Sequence, residues 1–205
     1  TVIIKEIKGV KIAFLGYTGW GYDYHVRMLL DKQVKDLRAA GVDYIVANFH
    51  WGEMRSYEPN SNQKKMAYYA VDHGVDLVVG HHPHVLQGIE VYKGKNIVYS
   101  LGNFCYGGST ISRDPDTMIY QQILHVDPFS GTIVDLEHRV IPALVTATPE
   151  KNSYQPVLAT GPVRTRILAK MSRLNGLALP LPYLPDMKLP GRNRQTAEGV
   201  LCTLK

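Results

Sequence analysis

The segment VDLVVGHHPHVLQ, residues 75–87, decides how we predict this chain to fold. Its first half is mostly apolar and β-branched, which is typical of a strand buried in a sheet. Gly80 lets the chain turn off that strand, and three of the eight histidines follow at His81, His82 and His84. Polar groups placed after a buried strand are typical of α/β proteins, in which functional side chains lie outside the carboxyl ends of parallel strands.

The residues before this segment alternate between short apolar runs and amphipathic stretches. The predicted strands are Lys11–Leu15, Asp43–Phe49 and Val75–Val79, and the predicted helices are 31–40 and 62–73. Strands that alternate with helices favour parallel pairing through right-handed crossovers. The sequence therefore predicts the α/β class.

The pattern becomes β-rich after the histidines. We predict antiparallel hairpins at 88–101 and 118–141, a late helix at Arg164–Leu174, and an extended, proline-rich surface segment from Leu177.

The composition is that of an ordinary globular protein: 205 residues, 45% hydrophobic, with a formal net charge of +5. No run of about 18 apolar residues occurs, and we expect this chain itself to be soluble. The dispersed positive charge weakly favours an acidic partner, and no basic block points to nucleic acid. Cys105 and Cys202 form neither a zinc spacing nor a disulfide framework. Because the opening residues read like entry in mid-domain, we expect a fragment or a processed chain.

His50 directly follows the predicted strand 43–49, so parallel pairing would carry it towards the later histidines. Neutral imidazole is the commonest protein metal ligand. His82 and His84 are two positions apart, and in an extended segment both point to one side. Pro83 is expected to favour that extended form for His82. The pattern indicates a metal site.

The remaining candidates each leave two interpretations open. Two-metal hydrolases generally need a bridging carboxylate, but Asp43 and Asp76 lie at strand starts, on the opposite edge. Glu53 either approaches the site or faces solvent. Trp51 either walls a pocket or packs in the core. Asn103 either belongs to a tight turn or donates its amide to a substrate.

The sequence resembles a known family through NFHWGE at 48–53, the long run from GVDLVVGHHPHVLQ to YSLGNF at 74–104, and VKIAFLGYT at 10–18. These residues resemble the bacterial capsule synthesis proteins of the CapA/PgsA type, which are involved in poly-γ-glutamate. The resemblance implies a calcineurin-like metallophosphoesterase domain, with a four-layer αββα sandwich of mixed sheets. Met54 departs from the acidic or aromatic residue that members often carry there.

The resemblance also implies a division of the chain and a set of site residues. Residues 1–145 would be the C-terminal half of the metallophosphoesterase-like domain, and 146–205 an extension with one helix and a proline-rich tail. The metal ligands would be His50, His82 and His84, with His81 as an alternative ligand or the catalytic acid. Glu53 and Asn103 would contact substrate. Two divalent ions, manganese, zinc or iron, would bind fully only with the carboxylates of the missing N-terminal half.

The function implied is that of a metal-dependent phosphoesterase-like hydrolase in capsule synthesis. The alternative is a non-catalytic envelope component that binds or exports an anionic polymer, and a third possibility is an inactive half. Expected partners are an anionic polymer or phosphoester substrate, the N-terminal half and other capsule-synthesis membrane components. The full-length protein is expected outside the cytoplasm and associated with the membrane.

Overall fold

Two β-sheets and three helices form the fold in the computed structural model, which describes residues 2–108, 113–148, 150–175 and 200–203. The elements in chain order are β1 Val2–Ile7, β2 Val10–Gly19, α1 Tyr24–Ala39, β3 Tyr44–Trp51, α2 Ser61–Asp72, β4 Leu77–His81, β5 Ile89–Tyr92, β6 Lys95–Val98, β7 Asp116–Val126, β8 Ile133–Leu144, β9 Val157–Leu158, α3 Gly161–Leu174 and β10 Val200–Thr203. No helix in these ranges is long and apolar enough to span a bilayer.

The first sheet is mixed and has the strand order β1-β2-β3-β4-β6-β5. Its four central strands are parallel, as the alternation of strands and helices predicted, and β1 and β5 are antiparallel edge strands. The second sheet is antiparallel, in the order β10-β7-β8-β9. The parallel centre places the ends of β2, β3 and β4 along one edge.

The central strands of the first sheet are buried because helices cover one face of that sheet, and the second sheet and α3 cover the other. One face packs against α1 and α2 through Leu30, Val34 and Met66. The other face packs against the second sheet and α3, where Tyr120 and Met171 are fully buried. Near-continuous apolar strands such as β3 and β4 are the expected product of burial on both faces. The mixed α/β class is confirmed, and the four-layer detail stays a prediction.

Helix α1 begins at Tyr24 rather than at the predicted Asp31, and this start was wrong for a physical reason. The Asp23 side chain caps the helix by accepting a hydrogen bond from the backbone of Val26, at 2.9 Å. The first turns carry exposed apolar residues, such as Met28, instead of an inward apolar stripe. Amphipathic spacing therefore detects only the second half of this helix.

The C-terminal elements largely follow the sequence pattern. The two hairpins are present as β5–β6 and β7–β8, and α3 covers the predicted helix. The sequence pattern missed β1 and β9. The proline-rich segment predicted from Leu177 lies outside the described residues, apart from β10, which pairs with β7. Strand β9 pairs with β8, and helix α3 also packs against β8. The domain boundary at residue 145 stays a prediction.

Candidate functional site

The candidate site lies where β3 and β4 end. The parallel register sets His50 of β3 directly opposite His81 of β4, and Thr18 of β2 lies opposite His50 on the other side. Residues that are distant in the sequence therefore meet at one edge of the sheet. This geometry follows from the pairing of the backbones and not from any local motif.

Three imidazole rings form a continuous row at this edge. The ring centroids of His50 and His82 are 4.8 Å apart, and those of His82 and His84 are 5.5 Å apart. The two loops that carry them are joined, because the backbone N–H of Arg55 donates to the carbonyl of Pro83 at 2.8 Å. The loop after β3 and the loop after β4 thus form one structural unit.

The backbone around Pro83 is not extended, and the expectation that proline would hold His82 in the extended form was wrong. His82 has φ of 102° and His84 has φ of 61°, both in the region that favours glycine. Such residues each cost about 1–3 kcal/mol and persist where the surroundings impose them. The rings of His82 and His84 are therefore brought together by two residues with positive φ, and not by an extended segment in which residues i and i+2 point to one side.

Asn103 fixes the tautomer of His84. The Oδ1 atom of Asn103 lies 2.8 Å from Nδ1 of His84, and because an amide oxygen only accepts, Nδ1 carries the proton. In the neutral form of this ring the lone pair is on Nε2, which is the arrangement found in metal-binding histidines whose other nitrogen donates to a neighbour. Gly102 has φ of 73°, so Asn103 also follows a tight turn, which was the alternative interpretation of this residue. Direct contact of Asn103 with substrate stays a prediction.

His81 faces a second asparagine, which the sequence analysis did not single out. Asn48 donates its amide to the carbonyl of Leu15 at 3.2 Å, which turns its Oδ1 towards Nε2 of His81, at 3.5 Å. Desolvation, and then the neighbouring charge of His50, lower the pKa of His81. The pKa of His82 is lowered as well, mainly by desolvation and then by the neighbouring charges of His50 and His84. Both shifts favour neutral imidazole. The role of His81 as an acid stays a prediction.

Trp20 is a site residue that sequence reasoning missed. Its ring meets the rings of His82 and His50 edge-on, at centroid distances of 4.6 and 5.3 Å, and the residue is 57% exposed. Tyr106 similarly lies 5.2 Å from the ring of His84. The signal for Trp20 was its place immediately after β2, the third strand that ends at this edge.

Trp51 and Glu53 lie close to His50 in the sequence but not in the row of rings. Trp51 is fully buried, and its Nε1–H donates to the carbonyl of Tyr99 at 3.0 Å, so it is a core residue. Gly80 has no room for a side chain, because a Cβ there would collide with that carbonyl and the indole. Glu53 is exposed and accepts a long hydrogen bond from Asn60, at 3.4 Å. Its contact with substrate stays a prediction.

The aspartates at the opposite strand ends have structural partners. Asp76 accepts hydrogen bonds from the backbone of Ile45 and from Arg38, and Lys95 pairs with its other oxygen at 2.9 Å. Asp43 accepts from the backbone of Lys11 at 2.7 Å. These contacts agree with the expectation that neither carboxylate belongs to the histidine edge.

The residues fit a metal site in kind but not as a complete set. Imidazoles at this edge are suitable ligands, and the tautomer of His84 leaves a ring nitrogen free to bind. Among the described residues, however, no group of three or more histidine, cysteine, aspartate or glutamate side chains forms a metal-binding group. The row supplies nitrogen donors and lacks carboxylates.

The fold and the row of histidines define a mixed α/β protein whose candidate site lies beyond the ends of parallel strands. The family model of the bacterial capsule synthesis protein PGA_cap matches residues 1–107. The chain belongs to this capsule synthesis family.

Two curated relatives give the extent of the similarity. The chain is 32% identical over 171 residues to "Capsule biosynthesis protein CapA" of Bacillus anthracis, and 35% identical over 158 residues to "PGA biosynthesis protein CapA" of Bacillus subtilis. These matches cover 74% and 69% of this chain but only 41% and 40% of the relatives. The crystal structure of a hypothetical protein from Thermus thermophilus matches 69% of this chain and 61% of its own, with a TM-score of 0.46 and 15% identity.

Proposed function

We propose that this chain carries the histidine side of a metal-dependent, phosphoesterase-like hydrolytic site that acts in poly-γ-glutamate capsule synthesis outside the cytoplasm. The observation that carries the proposal is the row of His50, His82 and His84 at the ends of parallel strands. Membership of the capsule synthesis family supports the biological setting.

The chain's own residues have distinct roles in this proposal. His50, His82 and His84 offer ring nitrogens, and Asn103 holds His84 with Nε2 free. Two divalent ions, manganese, zinc or iron, would supply Lewis acidity and an activated water when bound. Carboxylates that this chain does not supply at the edge would complete the ligand set, which is in keeping with relatives of more than twice the matched length.

His81 is the proposed proton donor to the leaving group. It stands opposite His50, and Asn48 is placed to accept its Nε2–H. Desolvation and the neighbouring charge of His50 lower the pKa of His81, which disfavours its protonated form, so the acid role requires a proton gained when an anionic substrate binds. Activity that depends on His81 should therefore rise as the pH falls, as an acid on its basic limb does.

Hydrolysis of a generic aryl phosphodiester by protein that contains this chain and the proposed carboxylate-bearing region tests the proposal. With manganese or zinc we expect turnover that falls by about a hundredfold or more in His50→Ala and His84→Ala. His125→Ala is the matched control, since that histidine lies on β7 and pairs with Glu137. Absence of turnover with every divalent ion, or full activity in both site variants, would contradict the proposal.

A second candidate, a non-catalytic component that binds an anionic polymer, is favoured by one observation. Trp20, Tyr22 and Tyr24 are exposed aromatic residues that follow β2, and the Trp20 ring contacts His82 of the histidine row. The guanidinium of Arg27 lies over the Tyr22 ring, 4.1 Å from its centroid. Such a surface suits a carboxylate-bearing chain with an apolar stem. Polymer binding that weakens with salt but survives a chelator would favour this function, and loss with the chelator would favour the metal.

A further inference from the structure

A cavity of about 430 Å³ lies away from the row of histidines, between α2, β5 and the end of α3. It shares none of the histidines, and its volume lies in the range of small-molecule sites. Its lining includes Glu58, Lys64, Tyr68, Glu90, Tyr99 and Asn175. Neither the family resemblance nor the proposed hydrolase accounts for it.

Glu90 is a carboxylate held in place on the cavity wall. The Tyr68 hydroxyl donates to Oε1 at 2.8 Å, and the Tyr99 hydroxyl donates to Oε2 at 2.9 Å. Desolvation, together with the nearby Glu90 charge, raises the pKa of both tyrosines, so they remain donors. Each carboxylate oxygen accepts more than one hydrogen bond. Glu90 therefore keeps acceptor capacity, at a fixed position, for a cationic group in the cavity.

Asn175 fixes the wall of the cavity where α3 ends. Its Oδ1 accepts from the backbone N–H of Ile89 at 2.7 Å, which fixes the direction of the amide. Its Nδ2 atom is buried and has no hydrogen-bond partner among the described residues. The end of α3 packs directly on the start of β5, because a Cβ at Gly88 would meet the carbonyl of Leu174 at 2.5 Å. The buried Nδ2 atom exposes no surface to the cavity, so Asn175 contributes a rigid wall and not a donor.

Lys64 and the tyrosines complete the chemistry of the cavity. Lys64 is exposed at the rim, and no ion pair joins it to another residue in the described ranges. Tyr68 lines the cavity, and its ring is held by a stack on Tyr92 with the centroids 4.4 Å apart. With Glu58 and Glu90 against Lys64, the lining carries more negative than positive charge. This balance favours a ligand that has an ammonium group and no net negative charge.

We propose that this cavity binds a small zwitterion of the free α-amino acid class. The ammonium group lies against Glu90 between the two tyrosine hydroxyls, and the carboxylate accepts a hydrogen bond from Lys64. The side chain lies against the Tyr68 ring. This site is independent of the hydrolytic proposal, because it uses none of the same residues.

Calorimetric titration of the purified protein with L-glutamine and with glutaramate, which lacks the α-ammonium group, tests the assignment. We expect saturable binding of L-glutamine only, and Glu90→Gln should weaken it by about tenfold or more, because the charge is lost while an acceptor for one of the two tyrosines remains. Glu137→Gln and His82→Ala are the controls and should bind as the parent does.

The rim lysine gives a second variant in which the buried contacts stay intact. Lys64→Ala should weaken L-glutamine binding several-fold without changing the melting temperature, since the side chain is exposed. Absence of binding for L-glutamine and the other standard amino acids up to about 10 mM would overturn the proposal. The proposal would also be overturned if Glu90→Gln and Lys64→Ala both bound L-glutamine with the affinity of the parent protein.

Discussion

Two clusters of ionisable side chains in this chain differ in how completely the protein satisfies them. In the acidic cluster, Arg166 donates two hydrogen bonds to Asp116, at 2.6 and 2.7 Å. Lys170 bridges Asp116 and Asp114, and Tyr57 donates to Asp114 at 2.7 Å. Asp116 is only 1% exposed, yet each of its oxygens has a charged partner. This cluster holds α3 on β7.

The row of histidines has the opposite character. Within the described residues no ion pair joins His50, His82 or His84 to a carboxylate, and two of these residues have strained backbone angles. A buried cluster whose charges are all paired is costly to break, because removing one partner leaves a charge uncompensated. A cluster that keeps free ring nitrogens and strain at an exposed edge is suited to a ligand. The comparison separates residues with a structural role from the residues of the candidate site, although both groups are ionisable.

The largest expected effect falls on the acidic cluster. Asp116→Ala would leave Arg166 and Lys170 without their shared partner, and we expect a loss of about 3–5 kcal/mol in the free energy of unfolding, measured by urea denaturation. Asp36→Ala is the matched control, because its pair with Lys32 is exposed and contributes less than about 0.5 kcal/mol. Equal destabilisation by the two variants would remove the distinction drawn here.

Asn103 tests the other side of the comparison. Asn103→Ala removes the acceptor that fixes the tautomer of His84, and we expect hydrolytic activity to fall by about 10–100-fold, or about 1.4–2.7 kcal/mol. Asn103→Asp keeps an acceptor at that position and should retain most of the activity. If the two variants lose activity equally while remaining folded, the asparagine does not act through the imidazole.

His82 provides a test of strain. His82→Gly should raise the free energy of unfolding by about 1 kcal/mol, because glycine adopts φ of 102° without the strain of a side chain. His82→Ala removes the same ring but keeps a Cβ, so it should not share this gain. Both variants should lose hydrolytic activity. If His82→Gly melted at a lower temperature than His82→Ala, this would contradict the claim that the backbone of His82 is strained.

The smallest effect is the response of the acidic cluster to pH. Burial alone would raise the pKa of Asp116, but hydrogen bonds from Arg166 and Lys170 lower it below its ordinary value. The folded state therefore binds fewer protons than the unfolded state below about pH 4, and stability contributed by Asp116 is lost as the pH falls through this range. Thermal melting between neutral and acidic pH should show a steeper decline for the parent than for Asp116→Asn. If the melting temperatures of the parent and of Asp116→Asn fell equally with pH, this would argue against a lowered pKa for Asp116.

The sequence predicted the parts of the fold whose burial leaves a pattern. Strands β3 and β4 are buried on both faces, so their apolar runs were visible. Strand β1 and the first turns of α1 are largely exposed and carry no such pattern, so they were missed. The backbone angles at His82 and His84 could not be predicted either, because local preference at Pro83 favours the extended form and the tertiary structure overrides it.

The candidate site was predictable in its residues and not in its shape. The ends of adjacent parallel strands gave His50 and the later histidines, because topology alone decides which strand ends meet. Trp20 was missed because an aromatic residue after a strand is more often core, and here the ring stands exposed against two imidazoles. The contact between Asn103 and His84 depends on two turns whose geometry no local pattern specifies.

The most direct test is an anomalous-scattering map of zinc-soaked crystals of protein that contains this chain and the proposed carboxylate-bearing region. We predict metal peaks at this edge, with ring nitrogens of His50, His82 and His84 at about 2.0–2.1 Å from an ion. Peaks elsewhere, or a fully occupied crystal in which these rings bind nothing, would contradict the claim that the row of histidines is a metal site.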